Sequence, residues 1–383
     1  MKKSSFHLPG TIPAGISVSS IADERCKAKE KSIRFFFAFF VVLALMAPMI
    51  GGCTPAGVKL PKDESTSKRS LTDTAMGTII SMTVYPGAGM TGEEAQELLA
   101  ETKDLVRSLE ETLLSRKLET AELWKIDQKA GDKEEMPISE TLSGILEECF
   151  QVSEDSGGAF DVSIGPLVRL WRMDERAAGE EEATVPSAEE IGRAAALCGR
   201  DKIRLADGKI TLAEGACIDL GAVGKGIALD EIAKSLDGTD VSGVFSLGGS
   251  ILIYGEKPDG SPWRVGVVDP RDPAKTLGNL ELQGQWCVST SGDYERFFEV
   301  DGLRYHHLLD PATGYPARSG LRSVTILSKS GFLSDALSTA CFVLGREEGM
   351  ELAKKYQAEI LLVEEDGTVF LSEGLKSIFS AIN

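Results

Sequence analysis

An α+β fold is what the sequence predicts: mixed, largely antiparallel sheets with packed helices, forming one catalytic domain. Three observations lead there. "FFEVDGLRYHHLLD" holds two β-type runs around Asp301-Gly302, the dipeptide favoured in a two-residue type I′ hairpin turn. "LLVEEDGTVFLS" repeats that form near the C-terminus. Helical patterns fall among the strands with at least two hairpins, which favours α+β over a doubly wound parallel sheet.

The body starts near Leu71, where "MGTIISMTVY" alternates weakly and is rich in Ile, Thr and Val, as a strand is. From Glu93 to Leu114, Ala95, Leu98, Leu99, Leu105, Val106, Leu109 and Leu113 recur at helical spacing. A second helix covers about Glu140 to Glu154, with Leu142, Ile145, Leu146 and Phe150 on one stripe. "IALDEIAKSL" is helical, "GVFSLGGSILIYG", "WRVGVV" and "RSVTILS" read as strands, and "SDALSTACFVLG" reads as a helix. There is no internal repeat.

Ahead of the body, seven basic residues precede an uninterrupted apolar run from Phe35 to Ile50. That run is short of the roughly 20 residues a membrane span needs and suits a signal-peptide core. "IGGC" follows and resembles a bacterial lipobox, so residues 1–52 are expected to be a lipoprotein signal peptide and Cys53 the lipidated mature N-terminus. The alternative is a short membrane anchor that stays attached. Residues 53–70 are polar and broken by prolines, a flexible tether, and residues 71–383 form the catalytic domain. The expected location is the extracytoplasmic face of the cell membrane, held by lipid.

Composition is ordinary for a globular chain, 42% hydrophobic and 26% charged. The net charge of −18, without a basic cluster in the body, argues against nucleic acid as a partner. Five cysteines remain beyond Cys53, an odd number without CxxC spacing, which indicates neither a disulfide framework nor a zinc site.

"DLGAVGKGIALD", residues 219–230, looks like a phosphate loop but is not a Walker motif: Asp219 stands where the first glycine belongs, and Gly226 follows Lys225. Three further stretches carry polar groups that a core does not need, the first two together with glycine: "SGGAFDVSIGPLVRLW", "STSGDYERFFEVDGLRYHHLLDPATGYPA" and "SDALSTA". In "SDALSTA", Asp335 and Thr339 are four apart and share a helix face, offering oxygens that suit Mg²⁺. The same spacing suits an N-cap followed by a core-facing threonine. Lys225 lies between glycines, either as a point charge for a pyrophosphate or as a solvated lysine at a helix start. Among the three histidines only His306 and His307 lie in the body, on opposite faces of one strand.

In this order the four stretches resemble the FAD:protein FMN transferase (ApbE) family, over roughly residues 71–375. The resemblance implies Mg²⁺ held by Asp335, Thr339 and the carbonyl of Ala222, and FAD as substrate. It implies catalytic roles for His307 and Lys225, with His307 facing the site and His306 the outer face. Met76, Ala159, Phe160, Asp161, Asp219, Lys225 and His307 match positions that contact FAD in relatives. Where relatives carry an aromatic, "LLSRKLETAE" places Lys117, a candidate flavin or phosphate contact in its stead. The implied reaction moves FMN from FAD to a threonine of an exported acceptor, of redox membrane-complex or extracellular reductase type, and releases AMP. FAD hydrolysis to FMN and AMP, or flavin binding without turnover, are the alternatives.

Overall fold

The computed structural model describes residues 68–382. The expected signal peptide, the lipidation at Cys53 and nearly all of the tether lie outside the described residues. No helix among the described residues is long and apolar enough to cross a membrane.

In chain order, β1 (Arg69–Ala75) and β2 (Thr78–Pro86) form a hairpin. A largely helical excursion follows, with α1 (Gly92–Leu109), α2 (Glu122–Asp127), β3 (Met136–Pro137), α3 (Glu140–Asp155), α4 (Gly165–Trp171), α5 (Met173–Ala177) and α6 (Ala188–Ala195). It ends in β4 (Ile203–Ala206), β5 (Lys209–Leu212) and α7 (Gly224–Ser235). Next come β6 (Val241–Leu247), β7 (Ser250–Tyr254), β8 (Trp263–Val268), β9 (Thr276–Leu282) and β10 (Trp286–Gly292). The hairpin β11 (Phe297–Val300) and β12 (Leu303–His306) precedes β13 (Leu321–Ser328). Helices α8 (Gly331–Leu344) and α9 (Arg346–Lys355), then β14 (Glu359–Glu364), β15 (Val369–Leu371) and β16 (Phe379–Ala381), complete the described chain.

Eight strands form the central sheet in the order β1-β2-β6-β7-β10-β13-β14-β15, so spatial order is chain order. Every ladder in it is antiparallel, and the α+β architecture is as the sequence predicts. Strict alternation of direction fixes where each connection leaves. The turns at Met76-Gly77 and Gly248-Gly249 and the excursion 293–320 all depart from the same end of the sheet.

The period of two along each strand sends side chains to two different layers. On β14, Ile360 and Leu362 join the core beneath α8, while Leu361 and Val363 pack with Trp263, Val265 and Leu280 of a second, three-stranded sheet. A third core forms where α1 and α7 cover β2, β6 and β7. Trp171, Phe298 and Leu309 build a fourth cluster, which seats the β11–β12 hairpin against α4 and α6.

Local chemistry explains most boundaries. Thr91 and Glu94 close a capping box at the start of α1, and Ser139 caps α3. Asp301 and Gly302 have φ of 52° and 76°, both positive as a type I′ turn requires. Two expectations shift. "MGTIISMTVY" is not one strand, because Met76 and Gly77 turn the chain with φ of 51° and 68° and β2 starts at Thr78. The first described strand also begins at Arg69, two residues before the expected start of the body.

The tightest crossing lies between α7 and α8. A Cβ on Gly226 would sit 2.1 Å from the Gly331 carbonyl oxygen, and one on Gly331 would sit 2.3 Å from that of Gly226. Gly226→Ala is therefore expected to force the helices apart and cost about 3 kcal/mol or more, by the magnitude of overpacked cores. Urea unfolding checks this; an unchanged midpoint would contradict the crossing.

Candidate functional site

The site is built where α8 lies across β10 and β13 and reaches Ser250 of β7. Asp335, one turn into α8, is buried, with 4% of its surface exposed. Its Oδ2 accepts the Gly226 N–H at 2.6 Å, and its Oδ1 accepts the Ser250 hydroxyl at 2.6 Å. Asp230 of α7 binds α8 in return, accepting the Gly331 and Phe332 amides at 2.6 and 2.8 Å. Amides at a helix start lack partners within the helix, so this carboxylate fills a real deficit.

A row of hydroxyls sets the register of α8 on the sheet. Ser289 meets Ser334 at 2.7 Å, and Ser291 meets Ser338 at 2.8 Å and Thr339 at 3.4 Å. Ser334 and Ser338 donate to the carbonyls of Gly331 and Asp335, so Ser289 and Ser291 are the donors across the interface. The spacings match: two residues of antiparallel strand advance about 6.8 Å and four residues of helix about 6 Å. Asp335 and Thr339 thus share one face of a buried helix. Asp335 is no N-cap, since Ser330 caps α8.

Each Asp335 oxygen accepts one hydrogen bond and keeps a lone pair. A carboxylate, the half-buried Thr339 hydroxyl and a loop carbonyl at Ala222 are the donor types a hard cation takes, with substrate oxygens completing the shell. Among the described residues no group of three or more His, Cys, Asp or Glu could hold a metal, so such an ion would depend on neutral oxygens beyond Asp335.

The loop preceding α7 differs from a phosphate cradle. Gly226 spends its N–H on Asp335 and Gly224 spends its own on the Leu220 carbonyl. Close helix packing, not approach to phosphate, accounts for Gly226. Lys225 is half-buried, and its positive charge lowers the pKa of both Glu295 and His307. Asp219 pairs with Arg116 Nε at 2.9 Å and accepts the Gly221 N–H at 2.8 Å; Lys225 is not its partner.

His307 lies just past β12, half-buried, with its Nδ1 among the buried atoms that lack a partner. Burial first, then the charges of Arg296, His306 and Lys225, holds its pKa well below the usual imidazole value. His306 was expected on the outer face and is instead buried at 3% exposure. Its Nε2 lies 3.1 Å from the Ala317 carbonyl and its ring meets Phe342 edge-on. The alternation is respected, but both sides of this segment are covered by protein.

The remaining sequence-derived candidates divide. Met76 sits in the β1–β2 turn, with its N–H donated to Glu110 at 2.7 Å. Asp161 caps a 3₁₀ turn through the Ser163 N–H, and Ala159 is half-buried beside it. Phe160 is 2% exposed within the main core, so its ring packs on protein and a flavin contact at this position would fall to its backbone. Lys117 is 63% exposed and faces Asp174 and Glu175 at 3.7 and 4.0 Å. It lines an open cleft with Arg116, Val168, Arg169, Arg172 and Glu175. "DPATG" is a self-contained turn, in which Asp310 accepts the Ala312 N–H and the Thr313 hydroxyl.

Sequence reasoning missed Arg116, Ser250, Ser289 and Glu295. Glu295 is exposed by area, yet crowding by protein raises its carboxyl pKa, with Lys225 and Arg296 opposing and Asp335 adding to the rise. Nothing local in "GDYERFF" distinguishes it from a surface acid. The cysteines are structural as expected: Cys149, Cys217, Cys287 and Cys341 are buried and Cys198 half-buried, all as free thiols.

This antiparallel α+β scaffold is shared with solved flavin transferase structures. The ApbE family model matches residues 76–362, and the chain belongs to that family. A FAD:protein FMN transferase of Treponema pallidum is 32% identical over 324 residues, covering 80% of this chain and 87% of that protein. One of Vibrio cholerae is 28% identical, covering 76% and 86%. The crystal structure of the ApbE protein of Thermotoga maritima superposes with a TM-score of 0.73 at 33% identity, over 82% of this chain and all of that one. The flavin transferase ApbE of Vibrio cholerae gives 0.71 at 27%, over 82% and 99%.

Neutral buried histidines carry a pH signature. Burial lowers His306 from 6.5 to about 4, so its contribution to stability is full above pH 6.5 and is lost as pH falls toward 4. Because Asp127 acts with the opposite sign over the same range, the check is the difference from His306→Gln in chemical denaturation from pH 7 to 4: relative to that variant, the protein should lose stability as pH falls. Ring ¹⁵N shifts should report His307 as neutral throughout pH 6–8.

Proposed function

We propose that this protein is a Mg²⁺-dependent FAD:protein FMN transferase, joining FMN from FAD to a threonine hydroxyl of an exported acceptor protein and releasing AMP. The observation that carries the reading is the clamp of Asp335 on the Gly226 amide, which sets a buried carboxylate beside Lys225 in a chain of this family. The threonine oxygen forms a new bond to the FMN phosphorus, the pyrophosphate P–O bond breaks, and AMP leaves with the bridging oxygen. Such transfers depend on positioning and electrostatics more than on a protein nucleophile.

The chain's own groups divide the work. Lys225 neutralises charge on the pyrophosphate. A neutral His307 has a free nitrogen lone pair to accept the threonine proton. Asp219 and the cleft beside Lys117 hold the dinucleotide. Asp335, the Thr339 hydroxyl and the Ala222 carbonyl would hold magnesium, whose charge offsets that of the pyrophosphate oxygens. Export and anchoring through a lipidated Cys53 belong to the same reading and rest on the basic, apolar, "IGGC" order of the leader.

Incubation with FAD, Mg²⁺ and a candidate acceptor, read by intact mass, should show an FMN-sized gain on the acceptor. Asp335→Ala should lower that rate by about 10²-fold or more, the size of losing a key electrostatic group, while the protein still folds. Accumulation of FMN and AMP without mass gain on any acceptor would replace transfer with hydrolysis. Full activity in Asp335→Ala would remove the metal assignment.

A further inference from the structure

Beneath the loop that carries Asp219 lies a carboxylate that the reaction above does not use. Asp127, the last residue of α2, has a side chain with no exposed surface. Its Oδ1 accepts the Ile218 N–H at 3.0 Å, and its Oδ2 accepts Arg169 Nη2 at 2.7 Å. A buried carboxylate survives only with such partners, and these two lead in different directions. Ile218 directly precedes Asp219, whose own oxygens are held by Gly221 and Arg116. Arg169 and Arg116 both line the open cleft beside Lys117. One buried carboxylate therefore ties the Asp219 loop to the arginine wall of the cleft, joining segments 42 and 91 residues away in the chain.

We propose that Asp127 is a positioning residue for FAD: ionised, it holds the Ile218–Asp219 backbone and Arg169 in the arrangement that binds the dinucleotide, and protonated, it keeps the Ile218 amide but releases Arg169. This rests on the FAD reading given above. Burial pushes the Asp127 carboxyl up to about 6, against the lowering influence of the Ile218 amide and Arg169. The other groups facing it are Asp219, which raises it, Arg116, which lowers it, and the Cys217 thiol, itself pushed up to about 12 and so uncharged. The link to Arg169 is intact above pH 6 and gives way as pH falls through that value.

The stability consequence has the opposite sign. Between pH 6 and 3.8 the folded protein holds a proton on Asp127 that the unfolded chain lacks, so ionisation above pH 6 weakens the fold. A carboxylate kept for packing alone would show no link between its charge and FAD. Asp127→Asn separates the two roles. Its amide oxygen still accepts the Ile218 N–H, but its NH₂ faces the Arg169 guanidinium, so the charge pairing alone is lost.

The experiment measures FAD affinity by flavin fluorescence, with KM and kcat for transfer, from pH 5 to 8 in the purified protein and in Asp127→Asn. The unsubstituted protein is expected to lose about tenfold in FAD affinity from pH 7.5 to 5, the worth of one charged hydrogen bond. Asp127→Asn should bind at pH 7.5 as weakly as the unsubstituted protein does at pH 5, with a flat profile. Its effect should fall on KM more than on kcat, and its thermal midpoint at pH 7.5 should equal or exceed that of the unsubstituted protein. FAD affinity that is flat across pH 6, or an Asp127→Asn variant that binds like the unsubstituted protein, overturns the proposal. If the variant does not fold, the pH profile of the unsubstituted protein decides alone. Failure of the functional reading looks different: no FAD binding at any pH sinks both, whereas tight, pH-independent FAD binding sinks only this proposal.

Discussion

The contact on which the site depends is the crossing of α7 and α8 at Gly226 and Gly331. With no side chain on either glycine, the two backbones meet directly, and the Gly226 N–H reaches Asp335. Asp230 closes the other end of the same junction by satisfying the first amides of α8. These polar links lie largely within protein, where hydrogen bonds are strong and unpaired groups are costly. The crossing therefore has one workable register, and the hydroxyl pairs from Ser289 and Ser291 fix the same register from the sheet side.

Sheet topology decides why polar loops gather there. Because spatial order follows chain order and every neighbour is antiparallel, successive connections leave from alternating ends. One end receives the Met76-Gly77 and Gly248-Gly249 turns and the excursion bearing Glu295 and His307. Helix α8 brings Asp335 and Thr339 toward them. Loops vary and carry chemistry while the ladders beneath stay rigid, and here three loops and one helix converge on a single sheet end.

Electrostatics at the site run against the chain's average. The protein is strongly acidic, yet Arg116 and Arg169 line the candidate substrate cleft and Lys225 and Arg296 act on His307. Cationic neighbours and burial together keep His307 neutral, while crowding raises Glu295 and Asp127. Net charge describes how the protein behaves as a solute; the local field is set by which few side chains the fold collects.

Much of the scaffold was legible in the sequence. The Asp301-Gly302 turn, the helices near 93–114 and 140–154 and the antiparallel character all follow from turn chemistry and periodicity, which act over a few residues. The four polar stretches also identified the family without any coordinates. What only the tertiary structure decided are relations between distant residues: Gly226 with Asp335, Asp127 with Ile218, Arg116 with Asp219. His306 was misplaced for the same reason, since alternation says which face a side chain takes but not what covers that face. Local sequence sets the backbone's preferences, whereas burial, pairing and charge state at the site come from packing between segments a hundred residues apart.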